Sequence, residues 1–238
     1  MLATLFNFST AELAALALSL KVAVFCTLAV AIPGVMVAWI LARKSFYGKA
    51  LLDGVVHLPL VLPPVVPGFL LLMLLGRNGP LGGWLHTTFG IDIAFTWIGA
   101  VIASAVMAFP LMVRASRLAI SQVDHGLEIA AHTLGATPLR TFFTVTLPLS
   151  LPGILTGLIL AFSRSLGEFG ATITFVGNIE GKTRTLPLAI YTYTQVPGGD
   201  WQALRLVVLS ILIALVALLA SELLERQARK RITGQATS

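Results

Sequence analysis

Arg164 and Glu168 stand four residues apart in an apolar tract, so on a helix they share a face. Around them, in "SRSLGEFGATIT", Ser163, Ser165, Thr172 and Thr174 add hydroxyls, while Gly167 and Gly170 allow bending or close helix approach. Ionisable groups in low dielectric are expensive unless they meet each other or face water, which leaves two readings. In one, the pair neutralises itself and locks spans together. In the other, it lines a translocation path or its gate. Hydroxyls, amides and helix N-termini around one deep cation, Arg164, suit transient passage of a small oxyanion better than tight capture. Hydroxyls in membrane helices also often bond only their own backbone. Enzyme chemistry finds less footing. His57, His86, His125 and His132 are scattered, and no two of them form a convincing metal site with a carboxylate or with Cys26, so no metal or cofactor is expected in this chain. Cys26 reads as a small buried apolar residue, and His57 as a structural hydrogen-bonding group.

These residues need elements to hold them, and the composition says which kind. The chain is 57% hydrophobic and only 11% charged, where a soluble domain carries about 25% charged residues. An all-α, polytopic membrane bundle is expected. Apolar runs recur at about Val22 to Ala42, Val55 to Gly76, Trp97 to Met112, Leu149 to Phe162 and Leu204 to Leu224, which gives five spans. Basic residues cluster in alternate loops: Arg43, Lys44 and Lys49; then Arg114, Arg117 and Arg140; then Arg226, Arg229, Lys230 and Arg231. The intervening loops hold only Arg77, and Lys182 with Arg184. By the positive-inside rule the N-terminus lies outside and the C-terminus in the cytoplasm. That placement explains the net charge of +6 without a nucleic-acid partner.

The first twenty residues carry no Lys or Arg, so the first apolar segment is expected to be retained rather than cleaved. Lys21 interrupts that segment and is expected to snorkel to the outer interface, with the residues before it lying on or above the membrane surface. Pro33-Gly34 should kink the rest of the span. Span two holds Pro59, Pro63, Pro64 and Pro67, so its helix is expected to be broken or sharply bent and to sit inside the bundle. "GRNGPLGGWLHTTFGID" reads as a Gly-rich outer loop with Trp84 as an interfacial anchor. With no internal repeat or linker, one domain is expected over 10–225, with a short basic tail at 226–238 that anchors to the inner surface.

The longest polar tract is "LEIAAHTLGATPLRTFFTVTLPLSLPG". Leu127, Ala131 and Leu134 share one helical face with Val123, while Asp124, Glu128 and His132 share another, the period of a helix docked by one side. Gly135 ends it, Thr137-Pro138 restarts a second short helix, and Leu147-Pro148 leads into span four. The pair, at about 123–147, makes either a docking knob for another protein or a helix resting on lipid headgroups.

Here the chain resembles ABC-importer permease subunits, whose "EAA" loop has the pattern E-A-A, three residues, Gly, nine residues, Ile, one residue, Leu-Pro. Ala130-Ala131, Gly135, Val145 and Leu147-Pro148 fit that spacing. Ile129 stands at the motif's Glu position and Glu128 lies one residue early, a rotation of about 100° on a helix. The resemblance implies the type I importer permease fold, a coupling helix seated on a separate cytoplasmic ATPase, and a homodimer of permeases with two such ATPases and an extracytoplasmic binding protein. ATP and Mg would be bound by the ATPase, in keeping with the lack of a G-x-x-x-x-G-K-[ST] loop here. "GEFGAT", "GNIEGKTRTLPLAIYT" and "PGGD" further resemble the molybdate group of these permeases, and "LSLKVA", "AWILARKSF", "LPLVLPPVVPG" and "LLGRNGPLG" extend the likeness over nearly the whole chain. Molybdate or tungstate import across the inner membrane is implied. Sulfate or thiosulfate permeases share "GEFGA" and form an alternative. An ion-coupled secondary transporter, with Arg164 and Glu168 as a proton relay, and a membrane scaffold are readings of other classes.

Overall fold

A chain this apolar has to close its own backbone hydrogen bonds, and among the described residues it does so with helices alone. The computed structural model describes residues 8–233 of 238, with side chains through Leu219 and at Glu222. In order these are α1 (Thr10–Arg43), α2 (Lys49–Val61), α3 (Val65–Leu75), α4 (Pro80–Phe89), α5 (Trp97–Ser121), α6 (His125–Thr133), α7 (Pro138–Thr141), a π-helical turn (Phe142–Thr146), α8 (Leu147–Leu166), α9 (Gly170–Val176), α10 (Leu186–Thr194) and α11 (Asp200–Thr233).

α1 starts on a capping box, with Ser9 accepting from the Glu12 N–H and the Glu12 carboxylate accepting from the Ser9 N–H. It then runs unbroken through Pro33 for 34 residues, about 51 Å at helical rise. The stretch before Lys21 is not a surface appendage. Ala15 and Leu16 pack with Leu186, Ala189 and Leu206 of α10 and α11, and Ser19 accepts the Leu186 N–H at 2.6 Å. Arg205 of α11 reaches the buried Glu12 at 3.0 Å. Lys21 lies 3.6 Å over the Trp97 ring, where the aromatic face carries the cation. The expected Gly-rich outer loop contains a helix, α4, opened by Pro80 at its first turn, with Trp84 exposed and edge-on to Phe89.

α2 and α3 meet at an angle of 111°. Their contacts show that together they cross the bilayer. At one end Asp53 pairs with Arg117 near the close of α5, and Leu52 and Val56 pack with Leu41, Val113 and Ile120. At the other, Leu71, Leu72 and Leu75 pack with Ala94, Ala100 and Ala103 near its start. With α1, α5, α8 and α11, five spans result. The broken span is not enclosed, however. Leu51, Val55, Val61, Val65, Phe69, Leu70 and Met73 are exposed, so α2 and α3 lie on the flank of this subunit. The break is served by one neighbour instead of by a surrounding bundle. Pro64 and Gly68 press against α9, where a Cβ on Gly68 would stand 2.6 Å from the Ala171 carbonyl oxygen, and one on Gly170 would stand 2.7 Å from Pro64. α8 ends at Leu166, and the chain breaks over Gly167 to Phe169 before α9 begins. Two helix breaks therefore face each other. Part of the basic tail, through Thr233, continues as α11; its side chains and residues 234–238 lie outside the described residues.

This close approach is directly testable. Gly68→Val should cost about 1–3 kcal/mol of stability by overpacking the junction, whereas Gly54→Ala, where nothing lies within 4 Å, should be neutral or slightly stabilising. Thermal denaturation of the two variants in detergent reads the contrast.

Candidate functional site

The polar tract forms the loop between α5 and α8. Asp124 caps α6 by accepting the Gly126 N–H at 2.8 Å. Gly135, at φ 86°, ends it in the left-handed region, and the Ala136 N–H closes back onto the Ala131 carbonyl at 3.0 Å. Thr137 caps α7, with Pro138 in its first turn. The helix then widens into the π turn before Leu147-Pro148 open α8.

The expected period of α6 is present, and its apolar face is left open by this subunit: Leu127 and Leu134 are exposed, Leu134 at 88%, while Ala131 is half-buried and Val123 is buried. On the polar face Asp124 and His132 are exposed, and Glu128 turns inward, 6% exposed. Glu128 turns inward because partners wait there. Its Oε1 accepts from Thr146 Oγ1 at 2.6 Å and from Arg43 Nε at 3.1 Å, and His125 Nδ1 lies 3.0 Å from Oε2. Arg43 also donates to the Val123 carbonyl at 2.8 Å. One carboxylate thus joins α6, the end of α1 and the root of α8. Burial pushes the Glu128 pKa up, but the hydrogen bonds from Thr146 and His125 and the charge of Arg43 together hold it below the ordinary glutamate value. Ala130 is exposed and Leu147 packs in the core beside Ile154 and Met112, with Pro148 exposed.

The second cluster sits at the α8–α9 break. Glu168 is buried, its Oε2 2.7 Å from Arg164 Nη1 and its Oε1 accepting the Ala171 N–H at 2.8 Å. The carboxylate bridges the interruption, holding the cation that ends α8 and the open amide that starts α9. Arg164 keeps one flank partly exposed, and Ser165 is buried against Cys26 of α1. The other hydroxyls do not join this cluster. Thr174 donates to the Gly170 carbonyl of its own helix at 2.8 Å and packs beside Gly68. Thr172 is buried in α9. Ser163 faces a separate crevice with Leu16, Pro187 and Ile190. The structure brings Arg164 and Glu168 together and sets Ser163 on that separate crevice. Beyond α9, the 177–185 loop ties itself down: Arg184 donates to Asn178 at 3.0 Å and to Glu180 at 2.8 Å, and Asn178 donates to Thr192 at 2.8 Å. His57 also bonds locally, its Nδ1 2.8 Å from the Asp53 carbonyl.

Arg43 and Thr146 are site residues that sequence reasoning missed. Arg43 counted only as one of the basic residues that set orientation; Thr146 fills the unassigned position before Leu147-Pro148.

The two-helix knob between α5 and α8 stands at one end of a five-span bundle, and the sequence says to which class of membrane subunit that bundle belongs. Residues 34–230 match the family described as "Binding-protein-dependent transport system inner membrane component", and the chain belongs to that family. Among its relatives are the Molybdenum transport system permease protein ModB of Haemophilus influenzae, 56% identical over 93% of this chain and 96% of that protein, and its counterpart in Escherichia coli (strain K12), 59% identical over 92% and 96%. The Sulfate transport system permease protein CysT of Escherichia coli (strain K12) is 39% identical over 84% of this chain and 72% of that one. In fold the chain is similar to a bacterial ABC transporter involved in alginate import, with a TM-score of 0.76 at 18% identity over 95% of this chain and 82% of that one. The all-α importer permease fold and the membrane location rest on these likenesses together with the five spans.

Because the folded chain lowers the Glu128 pKa, the stabilisation it provides is complete above the ordinary glutamate value, about 4.3, and is lost as pH falls through the lowered one. Amide protection factors across α6, corrected for intrinsic exchange, should drop below about pH 4 in the wild type. In Glu128→Gln that acid step should be absent.

Proposed function

We propose that this chain is the permease subunit of an ATP-driven importer that moves molybdate, or its near twin tungstate, across the inner membrane. The observation that carries the cargo is the gap in identity: 56% and 59% to two proteins named for molybdenum transport, against 39% to one named for sulfate. In this reading the chain itself binds neither ATP nor Mg and works as a homodimer. Two cytoplasmic ATPases engage the α6–α7 knobs, and an extracytoplasmic binding protein delivers the oxyanion. One solved importer of this fold is described in complex with a pentasaccharide-bound periplasmic protein.

Physical chemistry supports the division of labour. Leu127, Ile129 and Leu134 are exposed on a loop outside the spans, and an apolar group of that kind in water marks a surface that another protein covers. The exposed flank of α2 and α3 offers a second copy a surface for pairing about a two-fold axis. The facing breaks give the chain discontinuous helices in contact, the kind of element around which transporters pass ions. There the partly exposed edge of Arg164 supplies positive charge, and the Glu168 bridge keeps the break closed until the spans move.

Reconstitution in proteoliposomes with a cognate ATPase and binding protein tests the proposal. ATP hydrolysis should be stimulated by binding protein loaded with molybdate or tungstate and not with sulfate. Stimulation by sulfate would overturn the cargo, and none by any oxyanion would overturn the importer reading. Separately, Leu134→Asp should leave the chain in the membrane while sharply reducing co-purification of the ATPase; undiminished co-purification would remove the knob from the interface.

A further inference from the structure

We infer that Arg43, Glu128 and Thr146 form an internal strut that makes α1 a second transmission rod, so that movement of the knob drives α1 and α8 together. The inference rests on the importer reading above and assigns positioning roles to residues that face away from the proposed ATPase surface.

Glu128 is closed off from any cytoplasmic partner by its own fold. It is 6% exposed, and its oxygens are engaged by Thr146, Arg43 and His125. The exposed surface of α6 is supplied by other residues, Leu127 and Ile129. A load applied to α6 therefore leaves it by two routes. One is the peptide chain through α7 and the π turn into α8. The other is the Glu128 carboxylate, which grips Thr146 at the root of α8 and Arg43 at the end of α1. Arg43 also holds the Val123 carbonyl beyond α5, so the strut gathers three spans at one level.

The two rods touch again at the far end. Cys26 of α1 packs in one core cluster with Ala161 of α8, a turn before Ser165. From Arg43 to Cys26 is 17 residues of unbroken helix, about 26 Å. α1 and α8 are thus joined at the knob and at the Arg164–Glu168 break. If both move, the break is displaced as a unit. If only α8 moves, the contact at Cys26 shears and the displacement is dissipated. Breaking a buried pair from one side leaves the other charge uncompensated, whereas exchanging the two charges preserves their attraction.

The test uses the complex of this chain with its ATPase and binding protein, comparing wild type, Arg43→Glu, Glu128→Arg and the exchange of both. Two quantities are read: the fold stimulation of ATP hydrolysis by molybdate-loaded binding protein, and the change in labelling rate of Cys26, the chain's single cysteine, by a small thiol reagent when ATP is added. Arg43→Glu should lose the stimulation and the ATP-dependent change at Cys26. The exchange should restore both. Arg43→Gln and Thr146→Val, which introduce no opposing charge, guard against simple misfolding and should weaken both readouts in part. Single reversals that respond like wild type would overturn the strut. So would a well-folded exchange that fails to recover, or loss of ATPase binding in Glu128→Arg that the exchange does not repair, since Glu128 would then be a contact residue. The Cys26 comparison needs no cargo. A wild-type complex in which ATP alters Cys26 but no oxyanion stimulates hydrolysis would sink the importer reading without touching the strut.

Discussion

Hydrocarbon offers no partner to an open peptide group, and this chain opens its helices at two places that touch. The packing of α3 against α9 depends on how those openings are satisfied. The α2–α3 break turns through 111° and the α8–α9 break is interrupted for three residues, Gly167 to Phe169. They are pressed together through Pro64, Gly68 and Gly170, where there is no room for a side chain. Glu168 completes the arrangement by taking an amide of α9 and the cation of α8 at once. A charge that would be costly alone becomes the cheapest available group for closing a helix end in low dielectric.

The cytoplasmic end repeats the same device with different parts. Glu128, like Glu168, is a buried carboxylate whose oxygens are divided between an arginine and groups from a neighbouring element. Glu12 is a third case, buried at the start of α1 beneath Arg205 and closing its own helix end through Ser9. In each case an acidic side chain fastens segments that packing alone would let slide, since in lipid apolar contacts between helices gain little over contacts with acyl chains. The ion pairs, few as they are, fix position where the apolar surface cannot.

Much of this architecture is legible in the sequence, and the failures share a cause. Apolar runs give five spans, the prolines give the broken one, and Gly135 with Thr137-Pro138 gives the two short helices at their observed positions. Span two is misplaced to the interior because proline density reports that backbone groups are freed, not which neighbour answers them. The burial of Glu128 escapes the period of α6, which separates it from Leu127 and Leu134 without saying which residues this subunit covers; the partners that decide it, Arg43 and Thr146, lie 85 and 18 residues away. α4 is hidden by its glycines, although Pro80 is a fair starting signal. The π turn in "FFTVT" leaves no local signature. The hydroxyls promise more than they deliver, since Thr174 spends its proton on its own helix.

Leu134, almost wholly bare on the water side of the membrane, has a bearing on the life of the subunit before assembly. If the knob is covered as proposed, a copy without its partner keeps that leucine open and a copy with its partner does not, so assembly itself decides whether the subunit carries a bare apolar side chain outside its spans.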